Sequence, residues 1–235
     1  MLIYADGCSF TYGDELSDPK LSSWPNILGN ITGAEVFNNG YSGSSNQRIV
    51  YQTLKNLQNN YDFYIIAWTD YSRFTFYKSD TNNETNFNTQ LIHAELSNET
   101  FFNKWGLDLY RYWYNDLFAF KLWLQQIIQL QHILKYKKYI MINTFDNCLD
   151  AWLSSESNFI TSVKHLINFD IMNDQQILAE HQEIQYYNTL IDHSKFYKWD
   201  DFYIRQLCND FEVGEKGHIL EEGHKHLATL LEPYV

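Results

Sequence analysis

Short strand-like runs and segments of helical spacing take turns along this chain. Residues 2–5, 35–38, 61–68 and 139–143 read as strands, and the run Tyr61-Asp-Phe-Tyr-Ile-Ile-Ala-Trp68 is close to continuously apolar. A strand covered on both faces has that pattern. Helical spacing begins near Ser22-Ser23, with Trp24-Pro25 in the first turn, where proline is tolerated. A second helical segment runs from about Ser45 to Leu57, and a long amphipathic one from about Asn115 to Leu134. A closing helix carries Leu227, Leu230 and Leu231 toward the sheet. Strand, loop and helix in repeated order predict a parallel sheet with helical crossovers. The expected fold class is α/β: a three-layer α/β/α sandwich, flavodoxin-like, around a five-stranded parallel sheet.

Two stretches break this order and read as insertions into a single domain spanning 1–235. The first, at about 76–114, starts asparagine-rich and turns aromatic-dense through Phe101, Phe102, Trp105, Tyr110, Tyr112, Trp113 and Tyr114. Its rings can line a groove or pack the insertion onto the body. The second, at about 148–198, should hold two or three short helices.

Composition narrows the function classes. The chain has 235 residues, 45% of them hydrophobic, which is ample for a core. Its formal charge of −12 speaks against nucleic acid and against an anionic membrane surface as partners. Cys8, Cys148 and Cys208 form no paired spacing, which fits a reducing compartment. Met1 runs straight into a core strand instead of a leader, and no apolar run approaches the ~20 residues that span a bilayer. The expectation is a soluble protein, cytoplasmic where it is synthesised.

Candidate chemistry collects at strand ends, where parallel α/β sheets form their sites. Ser9 follows the first strand in Gly7-Cys8-Ser9-Phe10-Thr11-Tyr12-Gly13. A serine hydroxyl becomes a nucleophile when an imidazole takes its proton, and that imidazole needs its other nitrogen held by an acceptor. His218 is the candidate base. Glu215, three residues earlier across a Lys216-Gly217 turn, is the candidate acceptor. Gly43 lets a backbone N–H approach a developing oxyanion, as does the N–H of Ser9. Cys8 is adjacent to Ser9 but points oppositely, and a buried thiol is its default. His224 and His226 match no zinc-protease spacing and lie on different sides of a helix, so no metal is expected.

These blocks resemble the SGNH, or GDSL-like, hydrolase superfamily. The segment from Gly7 to Gly13 resembles its nucleophile block, with Cys8 where aspartate is commonest. Asn39-Gly-Tyr-Ser-Gly-Ser-Ser-Asn46 resembles its glycine block, and Glu215-x-x-His218 its terminal Asp-x-x-His block. The resemblance implies Ser9 as nucleophile, His218 as base and then acid, Glu215 as the orienting carboxylate, and the Ser9 and Gly43 amides as oxyanion donors. The family's asparagine after the third strand is absent, and Trp68-Thr69-Asp70 stands there. Asn46 is the available amide donor, or the Thr69 hydroxyl serves. Thr69, Asp70 and Arg73 are the expected substrate-contacting residues, with an Asp70–Arg73 ion pair as the structural alternative for Arg73.

The expected function is therefore a serine ester hydrolase removing short acyl groups, acetyl above all, from a carbohydrate or similar polar substrate. It needs no cofactor, and its partner is a small-molecule or glycan ester. The missing asparagine motivates the other reading, a catalytically weak or inactive protein of the same fold that binds glycan or serves assembly.

Overall fold

The computed structural model describes residues 1–77, 84–87, 108, 112–163 and 173–235. Along the chain these form β1 (Leu2–Asp6), α1 (Ser9–Tyr12), α2 (Pro19–Ser22), α3 (Trp24–Thr32), β2 (Glu35–Asn38), α4 (Asn46–Asn56), β3 (Phe63–Trp68), β4 (Phe74–Tyr77) and β5 (Glu84–Phe87). There follow α5 (Asp116–Leu134), β6 (Lys138–Asn143), α6 (Leu149–Trp152), α7 (Glu156–Val163), α8 (Asp174–Leu190) and α9 (Glu221–Leu231), with short 3₁₀ segments between some of them and after α9. Among the described residues no helix is long and apolar enough to cross a membrane. The chain divides into two compact units. One comprises Met1–Asp70, Ile133–Asp146 and His193–Val235, the other Tyr71–His132 and Asn147–Asp192.

The first unit is built on a parallel sheet of order β2-β1-β3-β6. Ile3 registers with Val36 on one side and Phe63 on the other, and Ile65 with Ile140. Alternation along the strands sorts the side chains. Ile3, Ala5, Phe63, Ile65, Ile140 and Ile142 share one core with Trp24 and Leu28 of α3 and Leu227, Ala228 and Leu231 of α9. The opposite face carries Tyr4, Asp6, Tyr64 and Met141, all without solvent exposure. It is covered by α4, whose Thr53 reaches Tyr4 and whose Arg48 reaches Asp6. Helices on both faces of a parallel sheet are the architecture the sequence pattern predicts.

The fifth strand is the exception. On the side of β6 away from β3, the described residues make isolated parallel bridges, Met141 with Phe196 and Asn143 with Tyr203. Between them Lys198 adopts φ 47°, in the left-handed region, and the Phe202 amide bonds back to the Lys198 carbonyl. That turn stops a ladder from propagating, so a fifth strand position is marked without a strand filling it.

The second unit takes in much of both expected insertions and the helix between them. β4 and β5 pair antiparallel, Phe74 opposite Phe87. Phe120 of α5 stacks on Trp152 of α6 with ring centroids 4.8 Å apart, and Phe159 of α7 lies 4.4 Å from the His181 ring of α8. Lys121 of α5 bonds both Glu180 and Glu183 of α8. Of the insertion's aromatics, Tyr114 is buried while Tyr112 and Trp113 are exposed. Phe101, Phe102, Trp105 and Tyr110 lie outside the described residues.

Candidate active site

The sheet order reverses direction between β1 and β3, and the loop after β1 opens beside that crevice. β1 ends at Asp6, and Cys8 turns the chain into the one-turn helix α1, in which Ser9 is the first residue. Gly13, at φ 94°, closes the turn by donating its N–H to the Ser9 carbonyl. Ser9 is buried, yet its amide N–H has no hydrogen-bond partner among the described residues.

The glycine block packs directly on this turn. A side chain at Gly40 would stand 2.6 Å from the Tyr12 amide nitrogen, so only glycine lets the two backbones come this close. The Tyr41 amide donates to the Gly7 carbonyl, Asn38 Nδ2 to the Thr11 carbonyl, and Ser42 Oγ to Asp14. Gly43 is half-buried at φ 73°, and its amide also has no partner among the described residues. The two expected oxyanion donors thus sit on neighbouring, mutually bonded loops.

Asn46 is placed differently from expectation. Its Nδ2 donates to the Thr69 carbonyl at 3.1 Å and its Oδ1 accepts the Thr69 amide at 2.9 Å. Oδ1 and one N–H of the amide are engaged by Thr69, so Asn46 fastens the start of α4 to the loop after β3. Thr69 is buried and Asp70 half-buried at the same strand end. Arg73 falls in the second unit.

His218 lies on the returning limb of a tight hairpin. Val213 bridges Ile219, the Gly214 amide bonds the His218 carbonyl, and the Gly217 amide closes the turn onto Gly214. The imidazole packs against Phe10, the residue after Ser9, with ring centroids 4.9 Å apart. The opposite ends of the sequence therefore meet at this point.

The acceptor on His218 Nδ1 is Glu15, at 2.8 Å, and not Glu215. The reason lies in the hairpin. Residues 215 and 216 form the tip of the 214–217 turn, and Glu215 is exposed there. Glu15 fills the inner side: its Oε1 accepts the Lys216 amide at 2.7 Å and its Oε2 accepts the His218 amide at 3.1 Å. Burial pushes this carboxyl's pKa up, but the bonds from Lys216 and His218, together with the imidazole's charge, pull it further down, below the ordinary carboxylate value. Glu15 itself has φ 70°, a left-handed conformation that few residues other than glycine adopt. Nearby, Ser17 bonds Glu221 of α9 through its hydroxyl at 2.7 Å, a second tie from the serine loop to the C-terminal segment.

A further carboxylate escaped the sequence reading. Asp6, at the end of β1, is fully buried and accepts Tyr4 Oη at 2.6 Å, Asn39 Nδ2 at 2.9 Å and the Gly7 amide at 2.8 Å. Arg48 stands 3.7 Å away, donates to Ser44 Oγ and lies over the Tyr41 ring. This network anchors the glycine block from below. An acid closing an apolar strand, with an arginine on the helix that follows the glycine block, was the available signal. Among the described residues no group of three or more His, Cys, Asp or Glu side chains is placed to hold a metal ion.

No protein-family model matches the chain, and no curated protein matches it. Solved structures do. A G-D-S-L-family protein from Desulfitobacterium hafniense DCB-2 aligns over 100% of this chain and 99% of its own, at 12% identity and a TM-score of 0.50. A member of the lipolytic G-D-S-L family from Veillonella parvula DSM 2008 aligns over 98% of this chain and 96% of its own, at 14% identity and a TM-score of 0.45. A catalytic mutant of Axe2, an acetylxylan esterase from Geobacillus stearothermophilus, aligns over 99% and 93%, at 12% identity and a TM-score of 0.45. The chain has the SGNH-like, or GDSL-type, hydrolase fold.

Proposed function

We propose that this protein is a serine ester hydrolase in which Ser9 is the nucleophile and His218 the general base. One observation carries the reading: an imidazole whose Nδ1 is held by a carboxylate packs on the residue next to Ser9. A carboxylate only accepts, so Nδ1 carries the proton and Nε2 is left as the basic atom.

In the reaction Ser9 Oγ bonds to the ester carbonyl carbon while its proton passes to His218 Nε2. The carbonyl electrons move onto oxygen, which the Ser9 and Gly43 amides receive. The intermediate collapses as the C–O bond to the alcohol breaks, and Nε2 returns the proton to the leaving oxygen. Water then attacks the acyl-serine, gives a proton to Nε2, and Ser9 Oγ leaves and takes that proton back. Ester and water become acid and alcohol, with nothing else consumed.

The substrate we favour is a short acyl group, acetyl above all, on a carbohydrate. Tyr12, at the end of α1, and Tyr41, on the glycine block packed against it, are 45% and 48% exposed, and flat exposed rings suit sugar faces. Treatment with a fluorophosphonate probe should add one label at Ser9, and the protein should cleave short-chain p-nitrophenyl esters. Ser9→Ala should take no label and lose activity by about 10⁴-fold or more. An unlabelled parent protein that leaves these esters intact would remove the enzyme reading.

Thr69-Asp70, standing after β3 where the resembled family has asparagine, favours one other reading, a glycan-binding protein of low turnover, since a missing oxyanion donor lowers rates by about 10²–10³. Glycan binding that survives Ser9→Ala, in a parent without turnover, is its signature.

A further inference from the structure

We infer that Glu15, carried by the serine's own loop, is the positioning residue for His218, and that Glu215 has no part in the centre. The inference rests on the Ser9–His218 reading above.

Three N–H groups converge on the one carboxylate: His218 Nδ1 at 2.8 Å, the His218 amide at 3.1 Å and the Lys216 amide at 2.7 Å. The side-chain bond selects the imidazole tautomer, and the two backbone bonds fix the hairpin on which the imidazole rides. A residue placed only to complete a surface ion pair has no need of the amides. The hairpin is also shaped to admit this side chain. A Cβ at Gly214 would stand 2.6 Å from Glu15 Cδ and 2.6 Å from Oε1, so any side chain there evicts the carboxylate. Glu15 reaches the position from a left-handed backbone, φ 70°, and the convergent bonds hold that conformation in place. The Glu15 and His218 side chains keep 14% and 13% of their surface exposed, so the pair is only lightly solvated. Glu215, at the exposed tip, has no hydrogen bond among the described residues. The orienting carboxylate has thus moved from three residues before the histidine to the loop that bears the nucleophile.

The test compares Glu15→Gln, Glu215→Gln and Gly214→Ala in the full chain. An amide at 15 offers a donor where His218 Nδ1 donates, which disfavours the reactive tautomer. Glu15→Gln should lower kcat for a short-chain p-nitrophenyl ester by about 10²–10⁴-fold with KM within about threefold. Glu215→Gln should leave both within about twofold. Gly214→Ala keeps every polar group yet displaces the carboxylate, so it should follow Glu15→Gln, and it keeps the inference open to refutation if Glu15→Gln does not fold. Nuclear magnetic resonance supplies a readout independent of turnover: a downfield imidazole Nδ1–H signal in the parent and in Glu215→Gln, lost in Glu15→Gln. Retention of that signal and of kcat in Glu15→Gln, or their loss in Glu215→Gln, overturns the inference. A parent that shows the signal but takes no label at Ser9 overturns the hydrolase reading instead, and leaves the Glu15 contact standing.

Discussion

Two carboxylates flank the Ser9 turn, and they are held in opposite ways. Asp6, upstream, is fully buried, and burial pushes its carboxyl up to about 7 despite bonds from Tyr4 and Asn39, the nearby charge of Arg48 and the Gly7 amide. Glu15, downstream, keeps some solvent, and its bonds from the 216–218 backbone and imidazole hold it below the ordinary range. The same functional group is thus near half-protonation in one place and firmly ionised in the other. Desolvation decides the first case and convergent donors decide the second. A firmly ionised acceptor can orient an imidazole at neutral pH. A buried acid of shifted acidity suits a scaffold joint, where either protonation state still accepts hydrogen bonds.

The contrast can be broken most forcefully from the Asp6 side. Arg48→Met removes the counter-charge of Asp6, the bond to Ser44 Oγ and the contact with the Tyr41 ring, and should cost about 2–3 kcal/mol at pH 8 by urea unfolding. At pH 5, where Asp6 holds a proton, the loss should be visibly smaller. Asn46→Ala strips the buried Thr69 amide of its acceptor and should cost about 1–3 kcal/mol by the same measurement. It tests whether the glycine block is held from the β3 loop as well as from Asp6.

The pH dependence of stability sharpens the comparison further, with a smaller effect. Asp6 is raised from 3.8 to about 7, so the folded state holds a proton that the unfolded chain has released. Its contribution is complete below about pH 4 and is lost as pH rises toward 7. His224 works the other way. Burial lowers it from 6.5 to about 4, against the charge of Glu221 and with that of His218. Its contribution is present above pH 6.5 and is lost as pH falls through about 4. The two slopes oppose each other in the parent, which should show a shallow profile between pH 4 and 7. Asp6→Asn should expose the His224 slope, with stability falling as the solution is acidified. Smallest of all, Glu215→Gln should leave the unfolding midpoint where it is, since nothing in the hairpin leans on that side chain.

Most of the framework was legible because it is written in local pattern. The apolar run of β3, the Ser45 cap that accepts the Arg48 amide at the start of α4, and proline in the first turn of α3 are short-range signals. They fell within about two residues of the observed elements. Ser9 and His218 are candidates from block spacing, and the structure brings the Phe10 ring, next to Ser9, onto His218. Glu15 was not legible. Glu215 lies at the familiar distance from the histidine, while Glu15 earns its contact through the fold, across 203 positions of sequence. Only its complement, a glycine at 214, hinted that something must approach the hairpin closely. That the described residues hold four parallel strands instead of five escaped for a related reason. The left-handed turn at Lys198 is a backbone choice with no glycine to announce it.

The Glu15 clip also imposes an order of assembly. The joint around Asp6 is complete once the chain has been made as far as Arg48, from contacts among β1, the glycine block and α4. The clip must wait for residues 216–218. A growing chain therefore carries its serine turn and the partners of Asp6 well before the residues that hold Glu15 have been made. The clip closes only when the C-terminal hairpin docks on a carboxylate that the chain has carried since its first turn.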